Sequence, residues 1–136
     1  MNEFESAIYN RLATTSAVTN LLSAGSLSIF HLQADEAATP PYVVFSHQAG
    51  GDENQTRHRT KNILRFIRAY SSESAAQAGS IDAQIDTALH LNPLTVSGWA
   101  NLWLARETDL ETFENEPSGR PIWMQGGFYR LIMEDT

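Results

Sequence analysis

Residues 61–70 read Lys61-Asn62-Ile63-Leu64-Arg65-Phe66-Ile67-Arg68-Ala69-Tyr70, and the fold class turns on them and on the segment C-terminal to them. The even positions Leu64, Phe66 and Tyr70 are apolar. The odd positions include Lys61 and Arg65 and continue the parity of Arg57 and Arg59. Side chains on a strand alternate between faces, so this spacing predicts a strand with an apolar core face and a basic face. Arg68 breaks the pattern on the core side. From Ser71 to Leu91 the period changes to that of a helix. Ala75, Ala78, Ile81, Ile85, Ala88 and Leu89 form one stripe. Ser71 or Ser72 is placed to cap it, with Glu73 at its positive end. The small alanines predict close packing on a sheet, and Asn92-Pro93 closes the helix.

Toward the N-terminus from this strand, Ala49–Thr60 reads as the longest polar loop. Gly50, Gly51, Asp52, Glu53, Asn54 and Gln55 give it backbone freedom and nothing to bury. Tyr42–Ser46 reads as a buried strand. Ala34–Pro41 is an irregular connector whose paired prolines exclude a helix. Ser26–Leu32 is a short strand. Residues 2–14 carry Phe4, Ala7, Ile8 and Leu12 on one helical stripe, and Thr14-Thr15-Ser16 starts a second short helix through Leu22.

Toward the C-terminus, three strand-like segments come after the central helix. Thr95–Ala105 contains Trp99, Leu102, Trp103 and Leu104. Arg106–Glu114 places Glu107, Asp109 and Glu111 on one parity. Ile122–Glu134 is apolar on both faces: Ile122, Met124, Phe128 and Ile132 on one, Trp123, Tyr129, Leu131 and Met133 on the other. Gly126-Gly127 is expected to bulge or bend it. The order α-α-β-β-β-α-β-β-β describes an α+β domain over residues 1–136, a mainly antiparallel sheet with helices on one face. A last strand apolar on both faces needs cover on both sides, from a neighbouring subunit or a second layer of this chain.

The 136 residues carry nine Lys and Arg, sixteen Asp and Glu and no cysteine, for a net charge of -7. Disulfides, thiolate metal sites and cysteine nucleophiles are excluded. Residues 49–72 hold five bases against Asp52 and Glu53, whereas residues 73–136 hold ten acids against Arg106, Arg120 and Arg130. Such a balance disfavours specific nucleic-acid binding. No apolar run approaches a membrane span, and the acidic, amphipathic start is unlike a secretory signal, so the cytoplasm is the expected place of synthesis.

No pattern supports catalysis or a cofactor. His31, His47, His58 and His90 lie in separate segments without metal-ligand spacing. Asp82 and Asp86 share a helix face at i, i+4, where a solvated face is the commoner outcome than a carboxylate pair. There is no G-x-S-x-G elbow, and Ser46 and His47 point to opposite strand faces. Gly50-Gly51 lacks the lysine of a phosphate loop. Trp99 and Trp103 have no interleaved basic residues with which to bind nucleic acid. Two charged runs remain. Arg57, Arg59, Lys61 and Arg65 form a basic ribbon, and Glu107, Asp109 and Glu111 an acidic one. Meeting across a subunit boundary, they would set the register of an assembly. As solvated faces, or paired within one chain, they would do nothing of the kind.

The apolar phrases also carry a resemblance. They are the N-terminal helix with Leu21-Leu22 and Gly25, then Ile29-Phe30, then Pro40-Pro41-Tyr42-Val43-Val44-Phe45. Leu64-Arg65-Phe66-Ile67-Arg68-Ala69-Tyr70-Ser71 and Ile85-Asp86-Thr87-Ala88-Leu89 complete the set. Together they resemble the tail-completion, or tail-terminator, proteins of long-tailed bacteriophages and prophages. The resemblance implies a non-enzymatic virion protein that forms a ring, commonly a hexamer. Such a ring caps the tail tube, ends its polymerisation and offers a surface to head-completion proteins. It implies no cofactor, no membrane and no nucleic-acid specificity, and it pins no docking residue. The polar composition of Gly50–Gln55 separately makes that stretch a candidate flexible loop that orders on contact with tube or head. Another neck protein, a head-closure or connector adaptor, is the alternative within the same class. A small ligand-binding or enzymatic α+β domain is the alternative outside it.

Overall fold

A computed structural model describes residues 2–54 and 57–136. Helix α1 (Glu3–Thr14) leads into the short α2 (Ser16–Thr19) and a single 3₁₀ turn over Gly25–Ser28. Strands β1 (Ile29–His31), β2 (Tyr42–Glu53) and β3 (Thr60–Ser71) come next. Helix α3 (Ala75–Leu89) then crosses to β4 (Trp99–Asn115) and β5 (Pro121–Asp135). The five strands form one sheet in the order β1-β2-β3-β5-β4, antiparallel except for the β1–β2 pair. The α+β class and the order of helices and strands agree with the sequence. The two segments expected at Thr95–Ala105 and Arg106–Glu114 run on as the single strand β4.

Local chemistry explains the helix ends. Asn2 accepts from the backbone N–H groups of Phe4 and Glu5 at 3.0 and 3.1 Å, and Glu5 accepts the Asn2 N–H at 2.8 Å, a reciprocal capping box. The cap of α3 is Ser74, whose hydroxyl accepts from Gln77 N at 3.0 Å, rather than Ser71 or Ser72. Ser71 stays in β3, opposite Trp123, because the ladder with β5 continues to that point.

The core face of β3 is the odd one, the reverse of the expectation. Ile63, Arg65, Ile67, Ala69 and Ser71 are buried beneath the helices, while Leu64, Phe66, Arg68 and Tyr70 are only half-buried on the other face. Both parities carry an apolar series, so alternation alone does not say which one the helices cover. The compact set Ile63, Ile67 and Ala69 packs with Ile81, Ile85 and Leu89 of α3 and with Phe4, Ile8 and Leu12 of α1. On β5 both expected apolar faces are present: Tyr129, Leu131 and Met133 point into this core, and Phe128 and Ile132 point away.

Two further expectations are corrected. Gly50, Gly51, Asp52 and Glu53 are strand residues, paired opposite Ile63, Asn62, Lys61 and Thr60. A bulge after His47 lets β2 stay in register that far. Gly50 has φ +91°, and a Cβ there would meet the Asn62 carbonyl oxygen at 2.2 Å, so this glycine serves close strand pairing rather than a loose loop. Asn54 lies beyond the strand, and Gln55 falls outside the described residues. The sheet irregularities sit not at Gly126-Gly127 but on β4, at Leu102, opposite Met133 and Ile132, and at Glu107, opposite Tyr129 and Phe128. The paired glycines instead admit neighbours: a Cβ on Gly126 would meet Ile67 O at 2.5 Å, and one on Gly127 would meet Arg106 Nε at 2.6 Å.

Candidate assembly surfaces

The basic ribbon is divided by the inverted face of β3. Arg65 is 1 % exposed and lies under α1, where its Nη1 donates to Glu5 Oε1 at 2.7 Å. His31 Nε2 stands 3.7 Å from the same oxygen. Burial pushes the Glu5 carboxyl up, but the Asn2 N–H and the Arg65 guanidinium outweigh it and hold Glu5 below the usual carboxylate range. Arg65 therefore has no surface to offer a partner, and its place in the ribbon is corrected. Lys61 Nζ is 2.8 Å from Asp52, and Arg59 Nε is 3.7 Å from the same carboxylate. Arg57 is exposed at the tip between β2 and β3 and forms no ion pair among the described residues.

The acidic ribbon is divided by the bulge at Glu107. Glu107 turns to the face away from the helices and accepts from both Arg130 Nε and Nη2, at 3.0 and 3.1 Å. The Arg130 bond lowers its pKa. Asp109 and Glu111 stay on the helix-side parity. Asp109 accepts from Arg106 Nε at 2.6 Å, while Glu111 is exposed and unpaired among the described residues. Lys61, Arg65, Glu107 and Asp109 thus pair within one chain.

A polar cluster that the sequence patterns do not reveal ties α3 to the sheet. Arg106 lies over Gly127 and donates from Nη1 and Nη2 to the two Asp82 oxygens, both at 2.8 Å. It also donates to Tyr129 Oη at 3.1 Å and to the Gly126 carbonyl at 2.8 Å. Tyr129 in turn donates to Asp86 at 3.2 Å. Asp82 and Asp86, expected on a solvated helix face, therefore bind an arginine and a tyrosine instead. Burial raises the Tyr129 phenol above its ordinary range, so it keeps its proton and remains a donor. The only signal in the sequence is Gly127, the residue whose missing side chain leaves room for the guanidinium.

Among the described residues no helix packs on the even face of the sheet. Phe66 and Phe128 pack at 4.9 Å between centroids, Arg68 stacks 4.5 Å over Phe66, and Trp103 is 48 % exposed. Arg68 donates to Tyr70 Oη and Ser46 Oγ, at 2.9 and 3.2 Å, and meets no carboxylate among the described residues. At one end of this face the connector after β1 and the β4–β5 turn enclose a groove of about 410 Å³. Its floor includes Tyr42 and Tyr70, whose rings lie 5.3 Å apart. The sheet is open at both sides: β4 pairs along one edge only, and β1 covers just Val43–Phe45 of β2.

Among the described residues no group of three or more His, Asp or Glu is placed to hold a metal, and no helix is long and apolar enough to cross a membrane. His90 Nδ1 accepts from Arg106 N at 3.0 Å, and Trp99 Nε1 donates to Glu3 at 2.9 Å while its ring packs on Phe4.

Comparison with known proteins agrees with the architecture. The family model described as "Tail completion protein gp17" matches residues 6–122. In a solved structure described as "Virion of native gene transfer agent (GTA) particle", one chain superposes with a TM-score of 0.77 at 14 % identity. The match covers 97 % of this chain and 95 % of that one, which shows a shared fold. No curated protein sequence matches.

Proposed function

The chain belongs to the tail completion protein gp17 family, structural phage proteins and not enzymes, and on that premise we propose that it assembles into a ring capping the tail tube. Residues 1–136 act as one assembling unit, with a hexamer the expected ring. The ring sits in the virion at the end of the tail. It ends polymerisation of the tube protein on one side and receives head-completion proteins on the other.

The observation that carries this reading is the uncovered aromatic face of the sheet. Phe66, its partner ring Phe128 and Tyr70 flank Arg68 on this face, and Trp103 lies farther along it, beyond the Arg130–Glu107 ion pair. Surfaces built of aromatic residues around an arginine are the ones that dominate protein association. The helices bury the opposite face and the connector after β1 reaches only the Tyr42–Tyr70 end of this one, so cover for Phe66, Phe128 and Trp103 is left to a partner chain. A patch that meets a different patch on the next copy is a heterologous contact, which generates a closed ring when the rotation permits.

The test is to add the purified protein to polymerising tail tube protein and measure tube lengths by electron microscopy. Short tubes with a ring at one end are expected. Tubes of unchanged length with bare ends would overturn the proposal.

A further inference from the structure

The groove at the end of the uncovered face has a charge of its own. Asp35, Glu36, Glu114 and Glu116 line it against Arg68 and Arg120, leaving an excess of two negative charges. Glu116 is spent on Arg120, which donates to it at 2.7 and 2.8 Å. Asp35, Glu36 and Glu114 form no ion pair among the described residues, so three carboxylates stand open around two tyrosine rings. Carboxylates beside aromatic faces suit a guanidinium, which pairs with the first and stacks on the second.

The same chain presents that chemistry elsewhere. The tip between β2 and β3 carries exposed Arg57 and Arg59, of which only Arg59 approaches an acid, Asp52 at 3.7 Å. Tip and groove cannot meet within one chain. Tyr42 at the groove and Glu53 at the tip are the two ends of β2, eleven residues apart. At about 3.3 Å per residue that separation is roughly 35 Å.

We infer that the groove receives the arginine-bearing β2–β3 tip of a neighbouring copy of this chain, with Arg57 between the carboxylates and the tyrosine rings. The inference rests on the ring reading and gives it a contact. It retains the basic ribbon as one half of the interface but restricts it to Arg57 and Arg59. It replaces the acidic ribbon of β4 by the groove acids. A tip-into-groove contact is heterologous, as a ring requires. It also lays the arms of the hairpin toward the aromatic face beside the groove.

Cysteine cross-linking tests it, since the chain has no cysteine of its own. Arg57→Cys and Glu36→Cys are introduced together into the full chain and oxidised under mild conditions. Because a disulfide needs Cα atoms within about 7 Å, a bond between these positions forms only between copies. A ladder of covalent oligomers is expected, absent from either single variant beyond a dimer. In parallel, Arg57→Glu with Arg59→Glu should lower ring yield at least tenfold, as should Asp35→Lys with Glu36→Lys. Mixing these two variants as separate chains should restore association, which a misfolded variant does not do. Rings that form normally from the arginine variant, without a ladder from the cysteine pair, would overturn the contact and leave the ring reading standing. A wild-type chain that never forms rings would overturn both. Cross-links found only to added tail tube protein would give the groove to that partner and overturn the inference.

Discussion

Glu5 uses its two carboxylate oxygens on two elements. Oε2 closes the capping box of α1, and Oε1 takes the buried guanidinium of Arg65. Removing one partner of a buried pair leaves the other charge unsatisfied. Arg65→Met is therefore expected to cost about 3–5 kcal/mol in urea unfolding. A loss below about 1 kcal/mol would show that Arg65 is not buried as described. The sign of the pH effect comes from the lowered pKa of Glu5. A carboxyl with a depressed folded pKa stabilises fully above its unfolded value and loses that contribution as pH falls through the folded one. Stability should drop on acidification below the ordinary glutamate range, and Glu5→Gln should flatten that drop. A Glu5→Gln chain with the same acid limb as wild type would contradict this. In the sequence, Glu5 stands at the N3 position of a helix and Arg65 on a strand. Nothing in either pattern joins them, because their meeting depends on which face of β3 the helices choose.

At the scale of elements, alternation on β3 and β5 is legible in the sequence and its direction is not. Leu64, Phe66 and Tyr70 resemble a core face because they are large. The helices instead cover Ile63, Ile67 and Ala69, where smaller side chains let α3 approach, and a Cβ on Gly79 would stand 3.3 Å from the Gln125 side chain. The parity of Glu107 is hidden because a bulge leaves no mark in the hydrophobic pattern, and one extra residue moves a side chain to the other face. The glycines at 50 and 51 have the composition of a loop but lie in a strand, where their demands differ. Gly50→Ala meets the Asn62 carbonyl, whereas a Cβ on Gly51 meets nothing within 4 Å. Gly50→Ala should lower the midpoint of thermal unfolding while Gly51→Ala leaves it nearly unchanged, a separation of at least about 1 kcal/mol. Equal effects would return this segment to a flexible loop.

At the scale of the molecule, the family is legible because its apolar phrases survive in the sequence. The surfaces are not, because they depend on pairings between distant strands. Arg65, Lys61, Glu107 and Asp109 are used inside the chain, and what remains for a partner is an aromatic face, a groove and two arginines. Phe66→Ser with Phe128→Ser should weaken self-association at least tenfold in analytical ultracentrifugation. Monomer stability should change far less, since both rings are only half-buried. Equal loss of folding and association would assign these rings to the core.

The central claim is that copies of this chain close into a ring through that surface. Light scattering on a size-exclusion peak, with negative-stain images of the same fraction, tests it most directly. The predicted result is a single species of several subunits, six in the expected case, seen as an annulus. A species of one subunit mass at every concentration, with no annulus in the images, would contradict it.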